Sequence, residues 1–253
     1  MLPEMWPLVR DLLGGAAAVS LEETKSAIRT LIERVHIVAE GAGAVPVAAA
    51  LSGHECFGTI LDWHAEPEVR LAFDHLGGEP RNTDLLVRAH DTYGEFLVAV
   101  EAKADEPFGE TVAETLGAAA ERRLANPRSR GVERVQALAA ALFGPRRKGE
   151  APLGELRYQL LTAVAGAVAE GGRRGTQRVV FLVHEFRTRK TKDGNHAANA
   201  RDLDAFVYRL SHGAVPQILP GKLHGPIQVP RSDMFPRVPG LFISKAICDL
   251  RAR

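Results

Sequence analysis

The sequence has few cysteines, few aromatic residues and almost no excess of charge of either sign. Its two cysteines, Cys56 and Cys248, lie far apart and match neither a zinc site nor a disulfide framework. This usage is typical of a reducing compartment, so we expect a cytoplasmic location. The formal net charge is only +1. Overall charge therefore indicates no acidic partner, and any binding to DNA or RNA has to come from local patches.

Long apolar runs are also missing from the chain. No run reaches the eighteen or so residues of a membrane span, so we expect no membrane partner. The first residues do not show a basic stretch followed by an apolar one, and we expect no secretory signal. Hydrophobic residues make up 45% of the chain and charged residues 25%, which is ordinary for a globular protein with a normal core.

Residues 1–52 have a pattern of their own. Residues 21–34 predict a helix that begins after Ser20, and residues 35–39 are a short β-prone run. The string Ala-Glu-Gly-Ala-Gly-Ala follows at residues 39–44. This succession resembles threonine/serine dehydratases, which are fold-type II pyridoxal-phosphate enzymes. The resemblance implies that Glu40 and Gly41 match positions beside the cofactor ring.

The residues that such an enzyme needs are missing from this fragment, which is about a fifth of the chain. The reaction requires a lysine for the Schiff base and a glycine-rich phosphate cradle. The family places both upstream of the matching segment, and Lys25 is the only lysine before residue 100. We therefore expect residues 1–52 to be a non-functional helix-strand fragment without pyridoxal phosphate. The alternative is that a second chain completes the site.

Residues 54–253 are expected to form one α/β domain. Their pattern predicts, in chain order, a helix over 66–76, strands over 83–89 and 95–103, a helical pair over 110–143, a helix over 153–169, a strand over 178–186, a helix over 203–210 and a short strand over 241–244. The pair of glycines at 171–172 is expected to follow the end of the helix over 153–169.

The two predicted strands at 83–103 bring acidic residues together. Pairing them symmetrically about the Thr92–Tyr93 bond sets Asp84 opposite Glu101, and both share a face with Lys103, while the other face is apolar and expected to be core. Directly opposed carboxylates repel, so removal of one charge is expected to be neutral or stabilising in the metal-free protein. A magnesium ion would relieve the same repulsion, and a lysine beside it can orient water or neutralise phosphate charge.

This arrangement resembles the PD-(D/E)XK nuclease superfamily, whose restriction-endonuclease-like fold is a mixed sheet flanked by helices. The family order is helix, strand, strand with Asp, strand with Glu-x-Lys, helix, strand. Asp84 matches the first motif and Glu101-Ala102-Lys103 the second, over about residues 60–190. Thr83 replaces the proline of the family name, and the segment 110–143 is a long insertion of unknown role. The resemblance implies magnesium-dependent hydrolysis of phosphodiester bonds in DNA or RNA.

Two further residues complete the candidate site. The resemblance implies that Gln159, on the helix over 153–169, approaches the active site. Glu68, on the helix predicted over 66–76, is a candidate third metal ligand. Two alternatives stay open: a domain of the same fold that binds a partner without catalysis, and a pyridoxal-phosphate dehydratase that is expected to be inactive.

Overall fold

The computed structural model of the chain describes residues 54–76 and 81–251. Within these ranges the elements are strands β1 (Ile60–Leu71), β2 (Arg81–Asp91), β3 (Gly94–Lys103), β4 (Arg178–Arg187), β5 (Leu223–Ile227) and β6 (Gly240–Asp249), and helices α1 (Val112–Ala125), α2 (Gly131–Phe143), α3 (Tyr158–Arg174) and α4 (Asp193–Leu210). The helix and strand predicted within residues 1–52 lie outside the described residues. None of the described helices combines the length and apolar character that a membrane crossing needs.

The strands form one mixed sheet in the order β1-β2-β3-β4-β6-β5. The first three strands are an antiparallel meander, whereas β3, β4 and β6 run parallel to one another. Parallel neighbours need a crossover connection, and helices α1, α2 and α3 lie between β3 and β4 in the chain, while α4 lies between β4 and β6. The prediction of a mixed α/β sheet flanked by helices is confirmed.

The hairpin of β2 and β3 has the predicted register. Leu85 pairs with Val100 and Asp91 pairs with Gly94, so the strands are symmetric about the turn. Gly94 has a φ of 115°, a conformation that residues with a side chain rarely adopt. The backbone pairing ends at Leu85–Val100, one position short of Asp84 and Glu101.

Residues 66–76 do not form the predicted helix, because this stretch contains the end of β1. The apolar residues Val69, Leu71 and Phe73 are spaced two apart, which is the period of a strand. Leu71 and Phe73 are buried, and the intervening Arg70 and Ala72 are exposed. The prediction was wrong because a helical period was assigned to residues that alternate.

Helix α3 runs through the glycine pair that was predicted to follow its end. A Cβ on Gly171 would lie 2.4 Å from the Val179 side chain, and one on Gly172 would lie 2.4 Å from the Arg237 carbonyl oxygen. These two glycines therefore allow close packing inside the helix. The helix ends at Gly175, whose φ of 74° is the left-handed conformation common at helix ends.

The carboxyl-terminal third also differs from the predicted boundaries. Helix α4 starts well before residue 203, and β6 is longer than the predicted strand over 241–244. Strand β5 was not predicted, because its Gly225-Pro226 pair is typical of a turn. It lies at the edge of the sheet, where a proline can be accommodated without breaking a central ladder.

Both faces of the hairpin are buried, so the prediction of a single core face was incomplete. Leu86, Leu97 and Ala99 belong to a large apolar cluster that includes core residues of all four helices. The opposite face carries a second cluster, in which Phe57 packs edge to face against Phe96. The acidic side of the hairpin therefore lies under helices rather than at a fully solvated surface.

A buried ion pair ties the hairpin turn to the start of β4. Arg178 donates through its two terminal nitrogens to both carboxylate oxygens of Asp91, at 2.7 Å each. The same guanidinium donates to the carbonyl oxygens of Cys56 and Gly94 at 2.7 and 2.8 Å and lies over two phenylalanine rings. This network fixes β3 and β4 at their amino ends, so their carboxyl ends are held in register as well.

Candidate functional site

A cleft of about 710 Å³ opens at the carboxyl end of β3, where strands β1 to β3 meet helices α1 to α3. Carboxyl ends of parallel strands are the usual place for ligands in open α/β sheets. The charged residues that line it comprise four acids and four bases: Asp84, Glu101, Glu106 and Glu110, with Arg70, Arg81, Lys103 and Arg134. Because these charges balance, the cleft can take up either a cation or an anion.

Glu101 lies at the centre of this cleft, and only 2% of its surface is exposed. One carboxylate oxygen accepts a hydrogen bond from the Gln159 amide and lies 3.1 Å from the Lys103 ammonium. The other oxygen accepts a hydrogen bond from the Arg81 guanidinium. A buried carboxylate needs such partners to remain ionised.

Asp84 reaches the same cleft from β2. One of its oxygens accepts a hydrogen bond from the Ala102 N–H at 2.7 Å, and the other has no hydrogen bond within the described residues. The hydroxyl of the preceding Thr83 donates to the Val100 carbonyl at 3.0 Å. Side chains thus continue the link between the two strands where the backbone ladder ends, and they fix Asp84 beside the Glu-x-Lys segment.

Lys103 is held almost completely out of solvent. Its ammonium lies between Glu101, at 3.1 Å, and Glu106, at 3.7 Å, and its nitrogen is 5.3 Å from the centre of the Phe108 ring. Burial opposes ionisation of Glu106, but backbone N–H groups and the Lys103 charge outweigh it and lower the pKa of this carboxyl. The lysine is therefore flanked by two anions.

Helix α4 positions the loop that carries Glu106. The side-chain amide of Asn195 donates to the Asp105 carbonyl at 2.8 Å, and that of Asn199 donates to the Glu106 carbonyl at 2.9 Å. The Lys192 N–H also donates to the Asp105 carboxylate at 2.6 Å. The loop after β3 is consequently fixed to the amino-terminal turns of a long helix, which limits how far Lys103 and Glu106 can separate.

Gln159 is placed by a link between α1 and α3. The N–H of Val112 donates to the Leu156 carbonyl at 2.8 Å, and the N–H of Tyr158 donates to the Glu110 carbonyl at 3.0 Å. These bonds hold the entry of α1 against the entry of α3. Gln159 therefore lies in the first turn of α3, with its amide at the Glu101 carboxylate.

The structure brings together Asp84, Glu101, Lys103 and Gln159, which the sequence proposed as one site, but it does not include Glu68. The pairs Pro67–Leu85 and Val69–Thr83 set Glu68 at the register position opposite Asp84. Glu68 is nevertheless exposed, has a φ of 52° and does not line the cleft. It was assigned to the site as part of a helix, and this stretch is a strand.

The arginines of the cleft were not identified from the sequence, whereas Lys103 was. Arg81 begins β2, and nothing in the alternation of that strand indicates that its side chain reaches Glu101. Arg134 comes from the insertion helix α2, where it is held by Asp74 at 2.7 Å and lies over the Phe73 ring. Contacts between segments that are this distant in the chain leave no local signal, so only the folded arrangement shows them.

The donor set of the cleft fits a small hard cation. Magnesium is usually bound by one or two carboxylates, with water completing its octahedron. Within residues 54–76 and 81–251, no three His, Cys, Asp or Glu side chains form a cluster that could hold a metal. A magnesium ion in this cleft would therefore be held by Asp84 and Glu101 and would keep several water ligands.

A family model described as "Domain of unknown function (DUF6946)" matches residues 21–235. The match thus covers strands β1 to β5, all four helices and much of the amino-terminal segment, and it ends before β6. An L-threonine ammonia-lyase of Geobacter sulfurreducens is 47% identical to this chain over 47 residues, which are 19% of this chain and 12% of that enzyme. The chain therefore spans about an eighth of this curated relative. No solved structure matches the chain.

Proposed function

We propose that this chain, which belongs to the family DUF6946, hydrolyses phosphodiester bonds of DNA or RNA with the help of a divalent cation such as magnesium. The observation that carries this proposal is the cleft itself. It gathers Asp84 from β2, Glu101 and Lys103 from β3 and Gln159 from α3. Two carboxylates and a lysine at one edge of a sheet are the groups that metal-assisted hydrolysis of phosphate esters needs.

The order of the elements supports a restriction-endonuclease-like fold. Strand β1, strand β2 with Asp84, strand β3 with Glu101-Ala102-Lys103, helix α3 and strand β4 follow one another as in the PD-(D/E)XK pattern. The pattern also has a helix before the first strand, and residues 66–76 do not supply it. The helix that the sequence predicts over 21–34 is the remaining candidate for this element.

The proposed reaction joins a water oxygen to phosphorus and breaks one phosphorus–oxygen ester bond, and the leaving oxygen takes up a proton. Asp84 and Glu101 would hold a magnesium ion, which would supply positive charge for the phosphate and for the attacking water. The Lys103 ammonium, 3.1 Å from Glu101, holds a donor beside the place where charge develops. Gln159 fixes the orientation of the Glu101 carboxylate, and Arg134 provides positive charge along the cleft.

One observation favours the alternative of a binding domain without catalysis. Glu101 is already satisfied by Arg81, Lys103 and Gln159, so the acidic pair needs no cation to remain stable. In that alternative the cleft would bind an anionic partner through its arginines. The two functions differ in whether a divalent cation stabilises the protein and whether nucleic acid is cleaved.

The test is an oligonucleotide cleavage assay. Single-stranded and double-stranded DNA and RNA are incubated with the protein in magnesium or manganese, with a chelator as the negative control. We expect cleavage that falls by about 10²-fold or more in Asp84→Asn and in Glu101→Gln, the loss that removal of one charge-stabilising group typically causes. Glu68→Gln is the matched control, because Glu68 is exposed and lies outside the cleft.

The control defines the outcomes. Cleavage that survives in Asp84→Asn would come from a contaminating nuclease or from another site, and either finding would contradict the proposal. Absence of cleavage of all four substrates, together with a protein whose melting temperature does not respond to magnesium or manganese, would favour the binding domain. An equal loss in Glu68→Gln would show that the assay reports charge in general rather than this cleft.

A further inference from the structure

Arg81 occupies an oxygen of Glu101 that a cation in the cleft would need. We propose that Arg81 is an exchangeable counter-ion: it neutralises Glu101 in the metal-free protein and leaves this carboxylate when a divalent cation binds. The inference rests on the proposed function, since the cation is the one that the hydrolysis would use. It assigns a role to a residue outside the Asp…Glu-x-Lys pattern.

The three donors to Glu101 are not equally anchored. The Lys103 side chain is 5% exposed, lies beside a second carboxylate and packs over a phenylalanine ring. Gln159 belongs to the first turn of a long helix. The Arg81 side chain is 23% exposed, and its buried Nε has no hydrogen-bond partner among the residues that the structure describes. Of the two cationic donors, Arg81 is therefore the one whose departure breaks fewer other contacts.

Occupation of the same oxygen by both cations is opposed by their charge. Magnesium binds oxygen at about 2.0–2.1 Å and demands a near-regular octahedron of ligands. The Arg81 nitrogen already makes a close hydrogen bond to one Glu101 oxygen, while Lys103 and Gln159 contact the other. A guanidinium that stayed in place would lie beside the metal, and two cations in one buried site repel strongly.

The cleft has room for the displaced side chain. The cleft has a volume of about 710 Å³, and it is also lined by Arg70 and Asn82, which are further donors. A guanidinium that rotates away from Glu101 stays in this space, where it can pair with a phosphate oxygen. Exchange would thus move one positive charge from the protein carboxylate to the substrate.

The experiment measures cation affinity by calorimetric titration of the folded protein with magnesium and manganese, and it includes thermal melts with and without the ions. In Arg81→Ala we expect affinity about ten- to a hundredfold higher than in the wild type, because the charge-assisted hydrogen bond that competes with the ion is gone. The same variant should melt at a lower temperature without metal, since Glu101 then lacks one counter-ion. Arg81→Ala is thus expected to raise cation affinity and to lower the metal-free melting temperature.

Arg70→Ala is the matched control. It also removes one positive charge from the cleft, but Arg70 makes no ion pair with Glu101. We expect it to change cation affinity only slightly and to leave the metal-free melting temperature nearly unchanged. Arg81→Lys serves if the alanine variant does not fold, since the flexible ammonium of a shorter side chain holds Glu101 less firmly than the planar, pre-organised guanidinium. We expect a smaller increase of cation affinity in Arg81→Lys than in Arg81→Ala.

The outcomes separate this inference from the proposed function. If the wild type binds the cation and neither Arg81 variant binds it more tightly than Arg70→Ala, the exchange is overturned while the metal site stands. An equal increase of cation affinity in Arg70→Ala would also overturn it, because loss of any positive charge from the cleft would then explain the increase. If no variant binds either ion, the exchange and the proposed function both fail.

Discussion

Replacing Arg178 by methionine tests the ion pair that joins the hairpin turn to β4. The substitution leaves Asp91, which is fully buried, without the guanidinium that contacts both of its oxygens, and it also removes donors to two backbone carbonyls. Loss of one partner of a buried pair typically costs about 3–5 kcal/mol, because an uncompensated charge stays in the interior. For a chain of this size that loss corresponds to a fall of roughly 6–20 °C in melting temperature.

The dependence on pH gives a second measure of the same interaction. Burial opposes ionisation of Asp91, but hydrogen bonds from Arg178 and from the N–H groups of Gly58 and Tyr93 outweigh it, and the pKa falls from 3.8 to about 2. A lowered pKa stabilises the folded state above pH 3.8, and this contribution is lost as the pH falls toward 2. The wild type should therefore lose more stability than Asp91→Asn between pH 4 and pH 2.

The assay is chemical denaturation followed by fluorescence, at neutral and acidic pH. Arg251→Met is the control, because Arg251 pairs with Asp249 and Asp193 at an exposed position and should cost little. A double variant in which Asp91 also becomes asparagine should recover part of the loss, since the buried charge is removed. A loss below about 1 kcal/mol in Arg178→Met would refute the reasoning, because that is the cost of an exposed pair.

Three further predictions concern the cleft and the amino-terminal segment. Asp84→Asn should abolish stabilisation by magnesium. Without metal we expect the free energy of unfolding to fall by up to about 1 kcal/mol, because the Asp84 carboxylate accepts a hydrogen bond from the Ala102 N–H at 2.7 Å, whereas repulsion between opposed carboxylates alone would predict a gain. Thermal melts of the wild type and the variant, each with and without magnesium, decide the sign. The purified protein should be colourless and should deaminate neither threonine nor serine, and borohydride reduction followed by mass spectrometry should detect no pyridoxal adduct. Deletion of residues 1–20 should leave cooperative unfolding unchanged, because the family match begins at residue 21. Deletion of residues 1–52 should lower the melting temperature. An unchanged melting temperature would show that residues 54–253 are stable without the amino-terminal segment.

Features set by neighbouring residues could be predicted from the sequence. The register of β2 and β3 follows from the turn at Thr92-Tyr93, and that register brings Asp84 close to Glu101 and Lys103. The strand at residues 60–71 was missed because a short apolar pattern fits two periods when no partner strand is known. The partner of this strand is β2, and pairing with β2 makes the segment a strand rather than a helix.

Features that depend on distant segments could not be predicted. The contact of Arg81 with Glu101 joins the start of one strand to the end of the next, and Arg134 enters the cleft only because α2 packs against the loop after β1. The second buried face of the hairpin has the same origin, since Leu97 and Ala99 become core when the helices cover them. In each case the neighbour is supplied by tertiary packing rather than by the local pattern.

The glycine pair of α3 determines the axial position of the helix, and Gln159 lies near the other end of the same helix. At 1.5 Å per residue, the thirteen positions from Gln159 to Gly172 span about 20 Å. A side chain at Gly172 would meet the Arg237 carbonyl oxygen at 2.4 Å, so alanine fits only if the helix or the segment that carries Arg237 shifts. A shift of 1 Å would carry the Gln159 amide away from Glu101 by the same distance. Position 172 is therefore linked to the geometry of the cleft from the far side of the domain, and substitutions that shift the helix should change the position of Gln159 although they touch no residue of the cleft.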